Sequence, residues 1–326
     1  MPSSLRQWIA DHREQIPADP VRGLFHAVYT FYLGLWYTIT SRWPIGTHVY
    51  DDEWDLLIIL DACRVDVLES VADEYDFIEN VDSRWSVGSH SHEWLTQTFS
   101  EDYREEVATT AYVSGNGHTY ETFVTGDHPP DETVPFCWPN WRPVDVGDFG
   151  QLDMLWETAH KEDVGVPPRA ITDRTVEVGR ESGCERLITH YMQPHIPYIA
   201  DALGKDRAPT DIEARGWKAQ ESGDAERDVV WELYEENLRL VLDEVELLLE
   251  NVDADDVVIT ADHGNAFGKY SIYGHPEGMP LPCVKRVPWV ETSASDTHSF
   301  EPSGEYRAHE RSETTIEEHL ADLGYK

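Results

Sequence analysis

Short apolar runs alternate with longer amphipathic segments after residue 51, which is the pattern of a parallel α/β sheet. The runs that predict strands most clearly are Leu56–Leu60, Thr110–Val113, Leu187–Thr189 and Val257–Thr260. Val229–Asn251 has apolar residues at helical spacing and predicts a long helix that leads into the last of these strands. A closing helix is expected near Ser312, where hydroxyl and acidic residues form a capped start. We therefore predict an α/β fold, a three-layer sandwich around a mostly parallel central sheet.

Residues 23–41 differ from the rest of the chain because they include no Asp, Glu, Lys or Arg over 19 positions. They do include one His, three Thr, one Ser and four Tyr or Trp, which is too polar for a typical transmembrane span. The pattern favours a helix that docks on the protein's own core or on a partner subunit. A helix lying in a membrane interface and a true span are the alternatives.

This segment divides the chain into two predicted regions. Residues 1–48 form an N-terminal aromatic-rich helical segment, and residues 49–326 form the main domain. Within the main domain, residues 127–156 are rich in Pro and Trp and show no periodicity, so a lid or insertion is expected there.

The charge balance bears on the partners of the protein and on the salt concentration in which it works. The 326 residues include 25 Lys and Arg against 63 Asp and Glu, which gives a net charge of −38. Such a chain repels a phosphate backbone, so we expect no nucleic-acid partner. Acidic excess along the whole chain, with 6 Lys against 19 Arg, is typical of halophilic proteins from salt-accumulating haloarchaea. Concentrated salt would screen the self-repulsion.

The cysteines and the N-terminus bear on location. The four cysteines are scattered without a Cys-x-x-Cys pair, which indicates reduced thiols rather than disulfides or a zinc site. The first 20 residues are interrupted by acids and lack the apolar core of a signal peptide. We expect a cytoplasmic protein, or one that is peripheral at the inner membrane face if residues 23–41 contact lipid. The oligomeric state stays open.

Candidate chemistry follows the predicted strands. Asp61 comes directly after the first apolar run, and Asp262 and His263 follow the last one, with Gly264 permitting a tight turn. His195 lies a few residues beyond the third run. Ligands bind at the carboxyl ends of parallel strands, so these side chains are expected at one edge of the sheet. Carboxylates and imidazoles are suitable ligands for divalent metals.

Three strings resemble the alkaline phosphatase superfamily, in its sulfatase-like and lipoteichoic-acid-synthase-like branch. They are LLIILDACRVD, THYMQPHIPY and VVITADHGNAFGKYSIYGHPEG, within roughly residues 55–290. The resemblance implies an alkaline-phosphatase-like fold and a metal-dependent hydrolase or transferase that acts on phosphate or sulfate esters.

The resemblance also implies a nucleophile in the segment Ser86-Val87-Gly88-Ser89-His90. By position Ser86 is the candidate and Ser89 the reserve, the alternative being a polar loop in which Ser86 is incidental. A metal-bound hydroxyl loses its proton more readily, as displacement at phosphorus or sulfur requires. We predict one divalent ion, Mn²⁺, Zn²⁺, Mg²⁺ or Ca²⁺, held by Asp61, Ser86, Asp262 and His263.

Departures from the family pattern refine this prediction. No Cys stands at the nucleophile position, which makes the oxidised residue of sulfatases doubtful, and Gln193 occupies the place of an acid that would bind a second metal. His195 and His275 are then free to hold anionic oxygens or protonate the leaving group. Arg64 and His90 are candidate substrate-binding residues, although an ion pair of Arg64 with Asp66 is an equal alternative.

The sequence therefore predicts an enzyme acting on an anionic ester, glycan-linked or lipid-linked, with phosphodiester or phosphotransfer chemistry favoured. Two alternatives remain. One is a true sulfatase, and the other is a non-catalytic sulfatase-like scaffold or binding protein.

Overall fold

A computed structural model describes residues 5–18 and 20–306. Seven strands form one sheet, and their bounds in chain order are β1 (Leu56–Leu60), β2 (Asp82–Trp85), β3 (Thr110–Ser114), β4 (Gln151–Met154), β5 (Arg186–Tyr191), β6 (Ala254–Thr260) and β7 (Arg286–Ala294). All four strands predicted from the apolar runs are present, and three of them extend by one to three residues beyond the predicted bounds.

The described helices surround this sheet. In chain order they are α1 (Leu5–Ala18), α2 (Pro20–Thr40), α3 (Val65–Val71), α4 (Ser91–Thr98), α5 (Arg104–Ala108), α6 (His118–Tyr120), α7 (Pro168–Glu181), α8 (Ala200–Gly204), α9 (Asp211–Arg215), α10 (Trp217–Ser222), α11 (Arg227–Leu249) and α12 (Pro282–Lys285). The long predicted helix before β6 is α11. The helix predicted near Ser312 lies outside the described residues.

The sheet has the order β2-β7-β6-β1-β5-β3-β4. The five strands from β6 to β4 are parallel to one another, whereas β7 runs antiparallel to both β6 and β2. The central strand β1 therefore lies between β5 and β6, and all five of its residues are buried. Its position brings the residue that follows it next to the carboxyl ends of both neighbours.

Alternation along β1 builds two apolar layers. Leu56, Ile58 and Leu60 join the core that packs against α3, α7 and α11. Leu57 and Ile59 point to the other face, where Trp94 of α4 belongs to the second core. Helices thus cover both faces, and the predicted three-layer α/β sandwich around a mostly parallel sheet is confirmed.

The aromatic N-terminal segment is helical and docked. The hydroxyl of Tyr32 in α2 donates to the carbonyl of Gly278 over 2.6 Å, and that of Tyr29 donates to the carbonyl of Glu277 over 2.9 Å. Leu33 and Tyr37 are fully buried. Among the described residues, no helix is both long and apolar enough to cross a membrane. These contacts match the alternative in which the segment docks on the protein's own core.

The predicted Pro-rich and Trp-rich insertion lies against the same helix. Residues 127–145 run without regular secondary structure, and within them Val134 and Cys137 pack on the inner face of α2. Residues 151–154 form β4, the edge strand beside β3, so the segment 127–156 also contributes to the sheet.

Candidate functional site

Two strands deliver buried acids to the carboxyl edge of the sheet. Asp61 follows β1 directly, and Asp262 lies two residues beyond β6, the parallel neighbour of β1. The turn after β1 places Ala62 at a φ of 60°, and its N–H donates to Asp262 Oδ1 over 3.1 Å. The N–H of His263 donates to the same oxygen over 2.8 Å. These two bonds fix the Asp262 carboxylate and leave Oδ2 for other partners.

Two imidazoles lie against these acids. His263 Nε2 is 3.6 Å from Asp61 Oδ1 and 3.4 Å from Asp262 Oδ2. His190, the fifth residue of β5, has its Nε2 3.9 Å from Asp61 Oδ2 and 3.8 Å from Asp262 Oδ2. His263 Nδ1 lies 2.8 Å from the carbonyl of Gly264, so Nδ1 carries the proton and Nε2 presents its lone pair to the acids.

A serine hydroxyl completes the group. Ser91 is the first residue of α4, and its Oγ lies 3.4 Å from both Asp61 Oδ2 and His263 Nε2. The helix N-terminus adds a positive electrostatic potential at this hydroxyl. We refer to Asp61, Ser91, His190, Asp262 and His263 as the donor cluster.

The spacing within the donor cluster fits the ligands of one small cation. Neighbouring donor atoms are 3.4–3.9 Å apart. Ligands about 2.0–2.2 Å from a tetrahedral zinc ion are separated by about 3.3–3.6 Å. Asp61 Oδ1, His190 Nε2 and Asp262 Oδ2 are buried and have no hydrogen-bond partner among the described residues. Because buried polar atoms are nearly always partnered, these atoms fit a divalent cation.

The electrostatics of the cluster favour the same ligand. Burial raises the pKa of the Asp61 carboxyl well above its usual range, and the neighbouring Asp262 raises it further. Burial also raises the pKa of Asp262, but the imidazoles of His263 and His190 outweigh it and hold that pKa below the usual range. Burial lowers the pKa of His190 to about 4, so this imidazole is neutral near pH 7. A divalent cation would neutralise the two carboxylates.

The hydroxyls of the two predicted serines bond to groups other than the donor atoms of the cluster. The Oγ of Ser86 donates to the backbone carbonyl of Asp262 and accepts from the N–H of Gly88. Ser86 is held there because its N–H donates to the carbonyl of Lys285 over 2.7 Å. Ser89 Oγ donates to Glu93 Oε2 over 2.7 Å. The serine hydroxyl that lies 3.4 Å from Asp61 and His263 is that of Ser91, at the start of α4.

A pair of histidines lies beside the cluster. His195 Nδ1 is 2.7 Å from the carbonyl of Ile196, so it is the protonated nitrogen, and His195 Nε2 accepts a hydrogen bond from His275 Nε2 over 3.0 Å. The ring of His275 lies 4.3 Å from that of His263, centroid to centroid. Burial lowers the pKa of His195 to about 4 and that of His275 further below its usual range. Both imidazoles are therefore neutral at pH 7.

The histidine pair lines a cavity of about 1730 Å³. The cavity extends from His195 and His275 to Arg42 and Trp138 near the end of α2. A ligand pocket for a drug-sized molecule is typically about 300–1,000 Å³, so this cavity is large enough for a bulky ester.

The two residues predicted to bind substrate differ in their placement. The guanidinium of Arg64 donates to both carboxylate oxygens of Asp66 and to the carbonyl of Asn265. These hydrogen bonds are to groups outside the donor cluster. This is the ion pair that the sequence analysis kept as an alternative. His90 lines the cavity, and its Nε2 lies 3.0 Å from the hydroxyl of Tyr37.

Sequence reasoning missed three members of the site. His190 is the buried fifth residue of β5, Ser91 begins α4, and Asn116 donates to Asp61 Oδ2 over 3.0 Å. A signal existed for two of them, because His190 and Asn116 each lie at the carboxyl end of a strand in the parallel part of the sheet. No spacing distinguished Ser91 from Ser86 and Ser89.

Comparison with known proteins shows a likeness in structure but assigns this chain to no family. No protein-family model and no curated protein matches the sequence. The soluble domain of lipooligosaccharide phosphoethanolamine transferase A from Neisseria meningitidis is 12% identical, with a TM-score of 0.48, over 79% of this chain and 82% of that one. The periplasmic domain of a phosphoethanolamine transferase from Campylobacter jejuni is 15% identical, with a TM-score of 0.44, over 73% and 78%.

A 2-O GAG sulfatase is a third similar structure, 12% identical with a TM-score of 0.42 over 74% of this chain and 64% of that one. These identities and scores assign no activity to the chain. Its function must be inferred from the donor cluster.

Proposed function

We propose that the protein is a metal-dependent enzyme that hydrolyses or transfers phosphate or sulfate esters through a serine nucleophile. The observation that carries the proposal is the donor cluster, in which two carboxylates, two imidazoles and one serine hydroxyl converge at the carboxyl edge of the sheet. Three buried atoms of this cluster have no hydrogen-bond partner among the described residues, which is an arrangement suited to a cation.

Asp61, Asp262 and His263 would hold one divalent cation, with His190 and Ser91 directed at the same centre. His190 is added to the ligand set predicted from sequence, and Ser91 replaces Ser86 in it. The mixture of nitrogen and oxygen donors suits Zn²⁺ or Mn²⁺ better than Ca²⁺, which prefers a shell of oxygen ligands. When bound, such a cation lowers the pKa of a nearby hydroxyl and stabilises negative charge on the transferred group.

Ser91 would act as the nucleophile. Its Oγ forms a bond to phosphorus or sulfur and gives its proton to Asp61 Oδ2, which lies 3.4 Å away. The bond from phosphorus or sulfur to the leaving oxygen breaks in the same step. Water or an acceptor hydroxyl then attacks phosphorus or sulfur and releases its proton to solvent. The bond to Ser91 Oγ breaks, and Ser91 takes back the proton held by Asp61.

The histidine pair would serve the leaving group. His275 Nε2, 3.0 Å from His195 Nε2, would carry a proton that it can donate in a hydrogen bond to the departing oxygen, which takes its own proton from water. Because both imidazoles are neutral, the pair can also donate to an anionic oxygen without losing a proton at pH 7. Of the two roles proposed from the sequence for His195 and His275, holding anionic oxygens is therefore the one that we retain.

Phosphodiester or phosphotransfer chemistry is favoured over sulfate hydrolysis. Serine stands at each candidate nucleophile position, and an unmodified hydroxyl is sufficient for displacement at phosphorus. The large cavity supports an ester with a bulky glycan or lipid substituent.

The experiment is a turnover screen of phosphomonoesters, phosphodiesters and sulfate esters with each divalent ion at molar KCl. The proposal predicts turnover that a chelator abolishes and that Asp262→Asn lowers by at least about 10²-fold, since this change removes a carboxylate ligand. Asp256→Asn, at an exposed position of β6, the strand that precedes Asp262, is the matched control and should keep full turnover. Stoichiometric metal without turnover on any ester would favour the non-catalytic alternative.

A further inference from the structure

One face of α2 carries a continuous stripe of exposed apolar side chains. Residues recur at steps of three and four and are each 44–73% exposed; they are Val21, Leu24, Phe25, Val28, Phe31, Leu35 and Ile39. At 100° per residue they fall within an arc of about 120° on the helix surface. The opposite face of α2 carries the buried Leu33 and Tyr37, so burial does not require the stripe to be apolar.

The stripe continues beyond the helix. The ring of Phe31 packs edge-on against that of Phe136 at 4.8 Å, and Phe136 stacks on Trp138 at 5.5 Å, centroid to centroid. Trp138 is 64% exposed and Trp43 is 68% exposed. Contiguous exposed apolar patches of this kind are typical of interaction sites, whereas single exposed apolar residues are not. The stripe of α2 with Trp43 and Trp138, which we call the apolar face, therefore marks an interaction surface.

The charges around the apolar face differ from those of the rest of the chain. Residues 20–50 contain two Arg and no Asp or Glu, in a chain that otherwise carries 23 basic and 63 acidic residues. Arg42 lies at the end of the stripe and donates to the carbonyl of Trp138 over 2.7 Å. Exposed aromatic rings beside an arginine are the usual anchors at a lipid headgroup layer. Residues 20–50 themselves therefore bring no acidic side chain to an anionic lipid surface.

We infer that the apolar face docks the protein on the surface of a lipid bilayer, with α2 lying in the plane of the interface. The occupant is a bilayer rather than a second copy because of where the cavity opens. Tyr29, Arg42 and Trp138 line the cavity as well as this side of the molecule. A second copy would lie across this end of the cavity, whereas a bilayer would present headgroups to it.

Docking also specifies the substrate class if the proposed function holds. A helix lying at the headgroup layer places the cavity end next to lipid-borne phosphate esters. The donor cluster would then act on an ester carried by a lipid of that bilayer, and this part rests on the proposed function. Vesicle binding itself does not depend on it.

The test is flotation of the full chain with vesicles of phosphatidylcholine, alone and with phosphatidylglycerol, at molar KCl. We expect the wild type to float with both kinds of vesicle, because apolar burial survives salt that screens charge. The variant Leu24→Asp/Phe25→Asp/Val28→Asp should bind at least 100-fold more weakly. The matched control Val146→Asp/Leu203→Asp/Val229→Asp changes residues that are 38–44% exposed elsewhere and should float like wild type.

Light scattering and turnover measurements complete the test. Light scattering without vesicles should give a monomer; a dimer that the α2 variant dissociates would show that a second copy covers the face and overturn the inference. A full chain that is monomeric and does not float would also overturn it. Turnover of bis(4-nitrophenyl) phosphate should be equal in both variants, and its absence in all three proteins would count against the proposed function alone. If the triple variant fails to fold, Phe25→Ser/Val28→Ser replaces it.

Discussion

Replacing Ser91 by Ala separates the nucleophile from the other serines of its loop. The change removes one hydroxyl whose Oγ lies 3.4 Å from Asp61 Oδ2 and from His263 Nε2. Loss of a covalent nucleophile should lower turnover by at least about 10³-fold, on the order of 4 kcal/mol of barrier. The fold should lose less than about 1 kcal/mol, because no strong hydrogen bond is removed.

Ser86→Ala and Ser89→Ala should show the opposite signature. Ser86→Ala leaves the carbonyl of Asp262 and the N–H of Gly88 without a partner, and Ser89→Ala removes a bond to the buried Glu93. Each change should cost about 1–3 kcal/mol of stability while most of the turnover remains. The three serines are chemically alike and lie within six residues, so differences among the variants report geometry.

The assay combines initial rates on a phosphodiester, urea unfolding of each variant, and acid-quenched peptide mass spectrometry. Fragment ions should place a phosphoryl adduct on Ser91 in the wild type. An adduct on Ser86 with an active Ser91→Ala would restore the sequence-based assignment. Full activity of all three variants would refute a covalent serine and leave water as the attacking group.

Three further predictions follow from charge and packing. Burial lowers the pKa of His48 to about 4. Because the unfolded chain binds this proton more readily, the free energy of unfolding should fall by up to about 3 kcal/mol between pH 6.5 and pH 4. In urea unfolding measured at each pH, His48→Gln should remove this part of the pH dependence. The melting midpoint should fall from molar to millimolar KCl because 63 acids repel one another, and an unchanged midpoint would remove the halophilic interpretation. Deleting residues 1–48 should cause aggregation on gel filtration, since it uncovers Val134 and Cys137; a soluble monomer would show that α2 is not needed to cover them.

The sheet and its acids could be predicted because each depends on local pattern. The apolar runs of β1 and β6 define central strands, and the short turns after them leave Asp61 and Asp262 little freedom of position. Parallel pairing then brings these residues together irrespective of the loops. The positions of Asp61 and Asp262 in the site could therefore be predicted from the sequence.

The serine and the second imidazole depended on longer-range geometry. Ser91 reaches the acids because the N–H of Ser86 bonds to the carbonyl of Lys285 and α4 starts five residues later. No sequence pattern predicts either of these two features. His190 lies inside β5, where its inward direction depends on the pairing register with Ile59. The docking of α2 likewise rests on contacts with Glu277, more than 200 residues away.

The central claim is that the donor cluster holds a metal ion. A crystal grown with Zn²⁺ or Mn²⁺ and measured at the metal's absorption edge tests this claim directly. We predict one anomalous peak about 2.0–2.3 Å from Asp61 Oδ1, Asp262 Oδ2 and His263 Nε2. A peak only at the group of His92, His118 and Glu121 on the cavity wall, or none within the cluster, would contradict the account.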